Sequence, residues 1–196
     1  MADKFARWIS VFFDSSFLSL PIFLGLGYVS GSQPSSFTHL GGILWAFLLY
    51  LVVTGIPLTY LLIGKKLGWV SDLELTRREE RPRFILVSLS SDILALILLW
   101  IGNGPHLLWL IILTYFCLAM VMFSISSFWK ISMHMAGVGG FSTALVFVFG
   151  AAAAWAFLSL PLVAWARLRR RKHTPAQLIA GAMVGCAVTY IVFRYL

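Results

Sequence analysis

Residues 137–166 read GVGGFSTALVFVFGAAAAWAFLSLPLVAWA, thirty positions without a charge. A helix rises about 1.5 Å per residue and a bilayer's hydrocarbon core is about 30 Å thick, so about 20 apolar residues cross it once. The stretch is too long for one ordinary span and rather short for two. Gly150 sits near its middle, and glycine is the residue that most readily lets a chain reverse. The expectation is a helical hairpin with two short arms, each of about 14 residues and about 21 Å. Arms of that length have to tilt, thin the bilayer locally or sit inside a bundle.

Charge placement supports the hairpin. Lys4 and Arg7 precede the first apolar segment, and Lys65, Lys66, Arg77, Arg78, Arg81 and Arg83 follow the second. Lys130 follows the fourth, and Arg167, Arg169, Arg170, Arg171 and Lys172 follow the stretch in question. If the chain folds back at Gly150, all of these lie on one side of the membrane and only Arg194 lies opposite. The positive-inside rule makes the crowded side cytoplasmic, with the N-terminus in and the C-terminus out. A single span at 137–166 would put the five-charge cluster outside, against the rule.

The rest of the chain fits a polytopic membrane protein in one domain, residues 1–196. Hydrophobic residues make up 60% of it and charged ones 11%, more apolar surface than a soluble domain of 196 residues hides. Phe5, Trp8, Ile9, Phe12 and Phe13 recur at helical spacing, so residues 1–16 are expected to hold an interfacial amphipathic helix. Residues 17–196 then form the bundle. A short apolar segment at 17–30, capped by Asp14-Ser15-Ser16, is followed by spans at about 42–64, 84–102, 107–127 and 175–195. The fold class is all-α, a transmembrane bundle of about six spans including the hairpin. Pro57 predicts a kink in the second span. Asp14 interrupts the N-terminal apolar run and no small-x-small site follows, so a cleaved signal peptide is not expected. Cys117 and Cys186 fall in apolar stretches and are expected to stay unpaired and metal-free. The net charge of +8 points to anionic membrane lipids rather than nucleic acid, because so apolar a chain is not a soluble basic domain.

Three segments carry chemistry on the expected cytoplasmic side: RREERPRF at 77–84, KISMH at 130–134 and ARLRRRKH at 166–173. Arginine forks match phosphate oxygens, and helix N-termini add amide donors with a favourable dipole. Two histidines beside a phosphate permit a nucleophile and an acid. If KISMH is extended, Lys130, Ser132 and His134 share one side; if helical, Ser132 turns away. Asp92 is the one carboxylate within an apolar span, either a functional intramembrane site or a lock among Ser88, Ser90 and Ser91. His39 and His106 lie in loops on the other side, and His134 and His173 have no third ligand for zinc, so no metal or other cofactor is expected.

In order and spacing these segments resemble the type 2 phosphatidic acid phosphatase superfamily, whose motifs are written KxxxxxxRP, PSGH and SRxxxxxHxxxD. Arg81-Pro82 matches the first, Ser132-Met133-His134 the second with Met for Gly and Ile131 for Pro, and Arg167 with His173 the third. The resemblance covers about residues 70–190. It implies that His173 forms a phosphohistidine, that His134 protonates the leaving oxygen, and that Arg81, Arg167 and Ser132 bind the phosphoryl group of a lipid phosphate or isoprenyl diphosphate. The first-motif lysine falls at Glu74, leaving Arg77, Arg78 or Lys130 to supply its charge. The third-motif aspartate is Gln177, which orients the histidine without a charge, unless Glu79, Glu80 or Asp72 substitutes. Two other readings follow. One is a non-catalytic relative that acts as a phospholipid-binding or structural membrane subunit. The other is a transporter using Asp92, for which only scattered hydroxyls such as Thr54 and Thr114 are at hand.

Overall fold

The computed structural model describes residues 2–13, 15–31 and 37–196, with the side chains of residues 2, 3, 7 and 15–18 outside that description. The expected cap at Asp14-Ser15-Ser16 therefore lies outside the described residues. Among the described residues the fold is helical with no strand. The α-helices are α1 (Ala2–Phe12), α2 (Ser15–Ser30), α3 (His39–Tyr50), α4 (Ile56–Leu67), α5 (Arg81–Ile101), α6 (His106–Ser126), α7 (Met133–Phe149), α8 (Ser159–Arg169) and α9 (Pro175–Tyr195). Five helical stretches are long and apolar enough to cross a membrane: His39–Leu67, Arg78–Ile101, His106–Ser126, Ala151–Arg169 and Pro175–Tyr195. Ser19–Ser30 and Met133–Phe149 are shorter apolar helices. The chain is a multi-pass membrane protein.

Its contacts fall into two compact units, residues 1–18 with 124–196, and residues 19–123. In the first unit the chain reverses at Gly150, and the segments on either side of it pack on each other. Gly150 has φ 74° and ψ −172°, a region that side chains other than glycine's rarely enter. The arms are longer than their apolar run suggests. The first begins at Met133, where Ser132 caps it, and has 17 residues. The second, Ala151–Arg169, has 19, and its first eight are a 3-10 helix. The 3-10 form rises about 2 Å per residue, so this arm reaches about 33 Å and no shortfall remains for it. Small alanines at 151–154 tolerate the eclipsed side chains of that form.

Helices α7 and α9 run parallel and closely packed. A Cβ at Gly181 would stand 2.5 Å from the Ser132 carbonyl oxygen, and one at Gly185 would overlap the Ala136 carbonyl. Gly139 approaches Ala182 and Cys186, and Gly140 approaches Thr189. Small residues four apart are what let membrane helices meet backbone to backbone. Helix α1 packs on α8 through Ala6 and Ile9, which join Met135, Val138, Val163, Ala166 and Leu178 in one core. The aromatic stripe is therefore divided: Ile9 turns inward, while Phe5, Trp8 and Phe12 stay exposed.

In the second unit the helical stretch through Pro57 is irregular. A π-turn at Leu51–Gly55 precedes it and Pro57 sits in the first turn of α4, where its missing N–H goes unmissed. The loop after α4 is folded on itself. Gly68 ends the helix in the left-handed region, Asp72 Oδ1 accepts from the Glu74 and Thr76 amides, and the Glu80 carboxylate accepts from the Ser71 amide and hydroxyl. Beneath it Arg81 is 1% exposed and its Nε donates to the Leu75 carbonyl at 3.0 Å.

Candidate functional site

The turn from α8 to α9 sets the geometry. Three amides close it: Arg170 and Arg171 donate to Ala166 and Leu168, and Lys172 donates to Arg167 at 3.1 Å. Arg171 takes φ 50° to complete the reversal. Thr174 then starts α9 with a capping box. Its Oγ1 accepts from the Gln177 amide, Gln177 Oε1 accepts from the Thr174 amide at 3.2 Å, and Pro175 opens the helix.

That box fixes the histidine. Because the Thr174 N–H points at it, the side-chain atom of Gln177 facing this corner is the oxygen, which only accepts hydrogen bonds. His173 Nδ1 lies 3.2 Å from the same Oε1, so Nδ1 carries the proton and donates. In the neutral ring this puts the lone pair on Nε2, the arrangement a nucleophilic imidazole requires. The ring is 9% exposed. Gln177 thus orients His173, as its spacing implies, but brings no negative charge to it. Asp72 and Glu80 are engaged within their own loop in the second unit, and Glu79 lies 3.9 Å from Arg78.

The KISMH segment docks on the same corner. The Ser132 amide donates to the Gln177 carbonyl at 3.2 Å, and its carbonyl rests on Gly181. Residues 130–132 are non-helical and α7 begins at Met133, so the segment is neither wholly extended nor wholly helical. Ser132 is fully buried and its hydroxyl accepts from the Met135 amide at 3.4 Å as the N-cap of α7. Lys130 is half-buried. His134, in the first turn, donates from Nε2 to the Ser10 carbonyl of α1 at 3.3 Å, a contact across the sequence that no local pattern announces. Arg167 is 2% exposed near the end of α8.

Positive groups gather at this corner. Because α7 and α9 are parallel, both N-termini, with their partial positive charge, lie at the same end. Between Ser124 and Leu196 the sequence has no aspartate or glutamate, whereas Lys130, Arg167, Arg169, Arg170, Arg171 and Lys172 lie near these helix ends. A phosphate matches amide donors and guanidinium forks together.

Arg81 and Arg77 belong to the second unit, Arg81 buried under the folded loop and Arg77 exposed at the start of the Arg78–Glu80 turn. Asp92 is buried in mid-helix, but Ser88, Ser90 and Ser91 do not hold it. Each donates its hydroxyl to a carbonyl of its own helix, at Phe84, Leu86 and Ser88, as mid-helix serines commonly do. Sequence reasoning missed the parallel glycine contact of α7 and α9, although Gly181 and Gly185 stand at the spacing that signals one. It also missed the Thr174–Gln177 box, whose T-x-x-Q spacing was available.

Fold and corner define a class: a multi-pass helical membrane protein with a basic, histidine-bearing site at the N-terminal ends of two parallel helices. Comparisons with protein-family models, with curated proteins and with solved structures find no match to this chain.

Proposed function

We propose that this corner binds the phosphate of a lipid monophosphate or isoprenyl diphosphate and hydrolyses it through a phosphohistidine. The observation that carries the proposal is the hydrogen bond between His173 Nδ1 and Gln177 Oε1 at a corner where the N-termini of two parallel helices meet. His173 Nε2 attacks phosphorus, and the bond from phosphorus to the leaving oxygen breaks. Protonated His134 gives that oxygen its Nδ1 proton, its Nε2–H being donated to Ser10. Water then attacks phosphorus while neutral His134 takes its proton, the P–N bond breaks, and phosphate leaves with both histidines restored. Arg167, Lys130 and the helix-end amides stabilise the charge on the phosphoryl oxygens, which is the main task in phosphoryl transfer. Ser132 contributes as the cap that presents the α7 amides. The positive-inside rule places this corner and the N-terminus in the cytoplasm and the C-terminus outside.

One observation favours a second reading. A neutral amide orients His173 but does not offset the imidazolium charge, and in the serine-protease triad the loss of that carboxylate costs about 10⁴ in rate. The second reading is a relative that binds phospholipid without turnover. The test is phosphate release by purified protein, with chelator present, from phosphatidic acid and from farnesyl diphosphate, beside His173→Ala and His134→Ala. Release that disappears in both variants supports the enzyme. Vesicle binding that depends on phosphatidic acid, without release from either substrate, supports the binder.

A further inference from the structure

The first unit's chemistry leaves Asp92 of the second unit unexplained. It stands 11 residues after Arg81 and 9 before Ile101 in α5, about 16 Å and 14 Å from the two ends, near the middle of the helix. Its relative exposure is 3%. Among the described residues it makes no hydrogen bond and no ion pair, and the three serines around it in sequence are spent on their own helix. No arginine, lysine or histidine occurs inside the spans of this unit away from their ends.

The groups packed against the middle of α5 are few, and the charged ones stand at element ends. The Tyr115 phenol of α6 lies within electrostatic reach of the carboxyl. The π-turn, which packs on α5, brings no titratable residue; its Thr54 hydroxyl is 3.2 Å from that of Ser19 on α2. Helix α4 brings Tyr60 within its length, with Lys65 and Lys66 exposed at its end. The turn Arg78–Glu80 packs at the start of α5, not beside its middle. A bare carboxylate in such surroundings is costly, whereas the neutral acid is not. A hard metal cation is a poor alternative occupant, because it demands about six oxygen ligands, and among the described residues no three His, Cys, Asp or Glu side chains converge. The π-turn beside α5 is the kind of helix irregularity that accompanies functional sites.

We propose that Asp92 is a proton-binding site inside the membrane, carrying a proton that exchanges with the aqueous phase. The ligand is the proton itself, taken up as the carboxylate becomes the carboxylic acid and returned on ionisation. The site is separate in residues and chemistry from the phosphate corner, so neither proposal depends on the other.

Infrared spectroscopy of the purified protein in lipid at neutral pH tests it. The other carboxylic side chains, Asp3, Asp14, Asp72, Glu74, Glu79 and Glu80, lie at or beyond the ends of the apolar spans, so a protonated-carboxyl band has little background. The expected result is a band present in the native protein, shifted to lower frequency after transfer to D2O, and wholly lost in Asp92→Asn. If that variant fails to fold, Asp92→Glu is expected to keep the band at a changed frequency. Absence of the band in the folded native protein overturns the proposal, because Asp92 is then ionised. A band that ignores D2O overturns it too, since the acid is then sealed and structural. A band that sodium or lithium chloride abolishes, where choline chloride does not, makes the site a metal-cation site instead.

Discussion

Substituting Gly185 by alanine tests the helix contact that builds the phosphate corner. The new Cβ would overlap the Ala136 carbonyl oxygen and stand 2.8 Å and 2.9 Å from that residue's carbonyl carbon and Cα, where ordinary contacts are 3.4–4 Å. These are backbone atoms and cannot rotate away, so α7 and α9 must part by about 1 Å, an overpacking that costs about 1–3 kcal/mol. Alanine's better helix propensity returns about 1 kcal/mol, leaving a net loss of up to about 2 kcal/mol, toward the upper end here because the overlap is with backbone. Gly25 is the control, since it is also helical and a Cβ there meets nothing within 4 Å. Its alanine variant is expected to be neutral or about 0.5–1 kcal/mol more stable. In a thermal unfolding assay in one detergent, the two variants should separate by about 4–8 °C, with Gly185→Ala lower. Gly185→Val should be lower again. Equal midpoints, or a Gly185→Ala protein as stable as Gly25→Ala, would refute the close parallel contact and with it the docking of Ser132 on Gln177.

Gly150→Ala should cost about 1–3 kcal/mol in the same assay although a Cβ there meets nothing, because φ 74° with ψ −172° is strained for alanine; an unchanged midpoint would mean the hairpin turns otherwise. Arg81→Met removes the donor to the Leu75 carbonyl, and limited trypsin digestion should then cut at Arg77 or Arg78 about tenfold faster, as a buried charged hydrogen bond worth about 1.5–3 kcal/mol is lost. Gln177→Ala should lose about 1 kcal/mol of helix capping, whereas Gln177→Glu preserves the box. The glutamate variant should also release phosphate about tenfold faster, because a charge-assisted hydrogen bond to His173 replaces a neutral one; no gain in rate would argue against a phosphohistidine at that position.

The spans were legible because lipid imposes a simple length rule. The predicted 84–102, 107–127 and 175–195 differ by only a few residues from α5, α6 and α9. The hairpin at Gly150 was legible for the same reason, since thirty uncharged residues and a five-charge cluster admit few topologies. Its arm lengths were not, because the apolar run does not show that Ser132 starts a helix before Gly137 or that Ala151–Leu158 stretches into a 3-10 form. Pro57 marked an irregularity in the sequence, but the form it takes, a π-turn at Leu51–Gly55, has no sequence signal of its own. At the site, Gln177 and His173 sit four residues apart at a helix start, so their contact follows from local geometry. The contact of His134 with Ser10 spans the chain and has no sequence period behind it. Ser132 carried two chemistries at once, a phosphate ligand by motif and an N-cap by position, and only packing shows the cap.

The amide at Gln177 has a second consequence besides the missing carboxylate. A glutamate at the third position of α9 would be favoured by the helix dipole, by about 0.3–1 kcal/mol, so stability alone does not explain glutamine there. What the amide preserves is the sign of the corner. A carboxylate placed against His173 would lower the positive potential where the phosphate binds. The two effects pull in opposite directions: a carboxylate speeds histidine chemistry by stabilising the imidazolium, and it weakens attraction for a phosphate that itself carries negative charge. The glutamate variant should therefore show a raised kcat together with a raised KM, while a purely binding protein should show only weaker vesicle binding. Following both quantities in the one variant separates a corner that favours phosphate capture over turnover from one that never turns over.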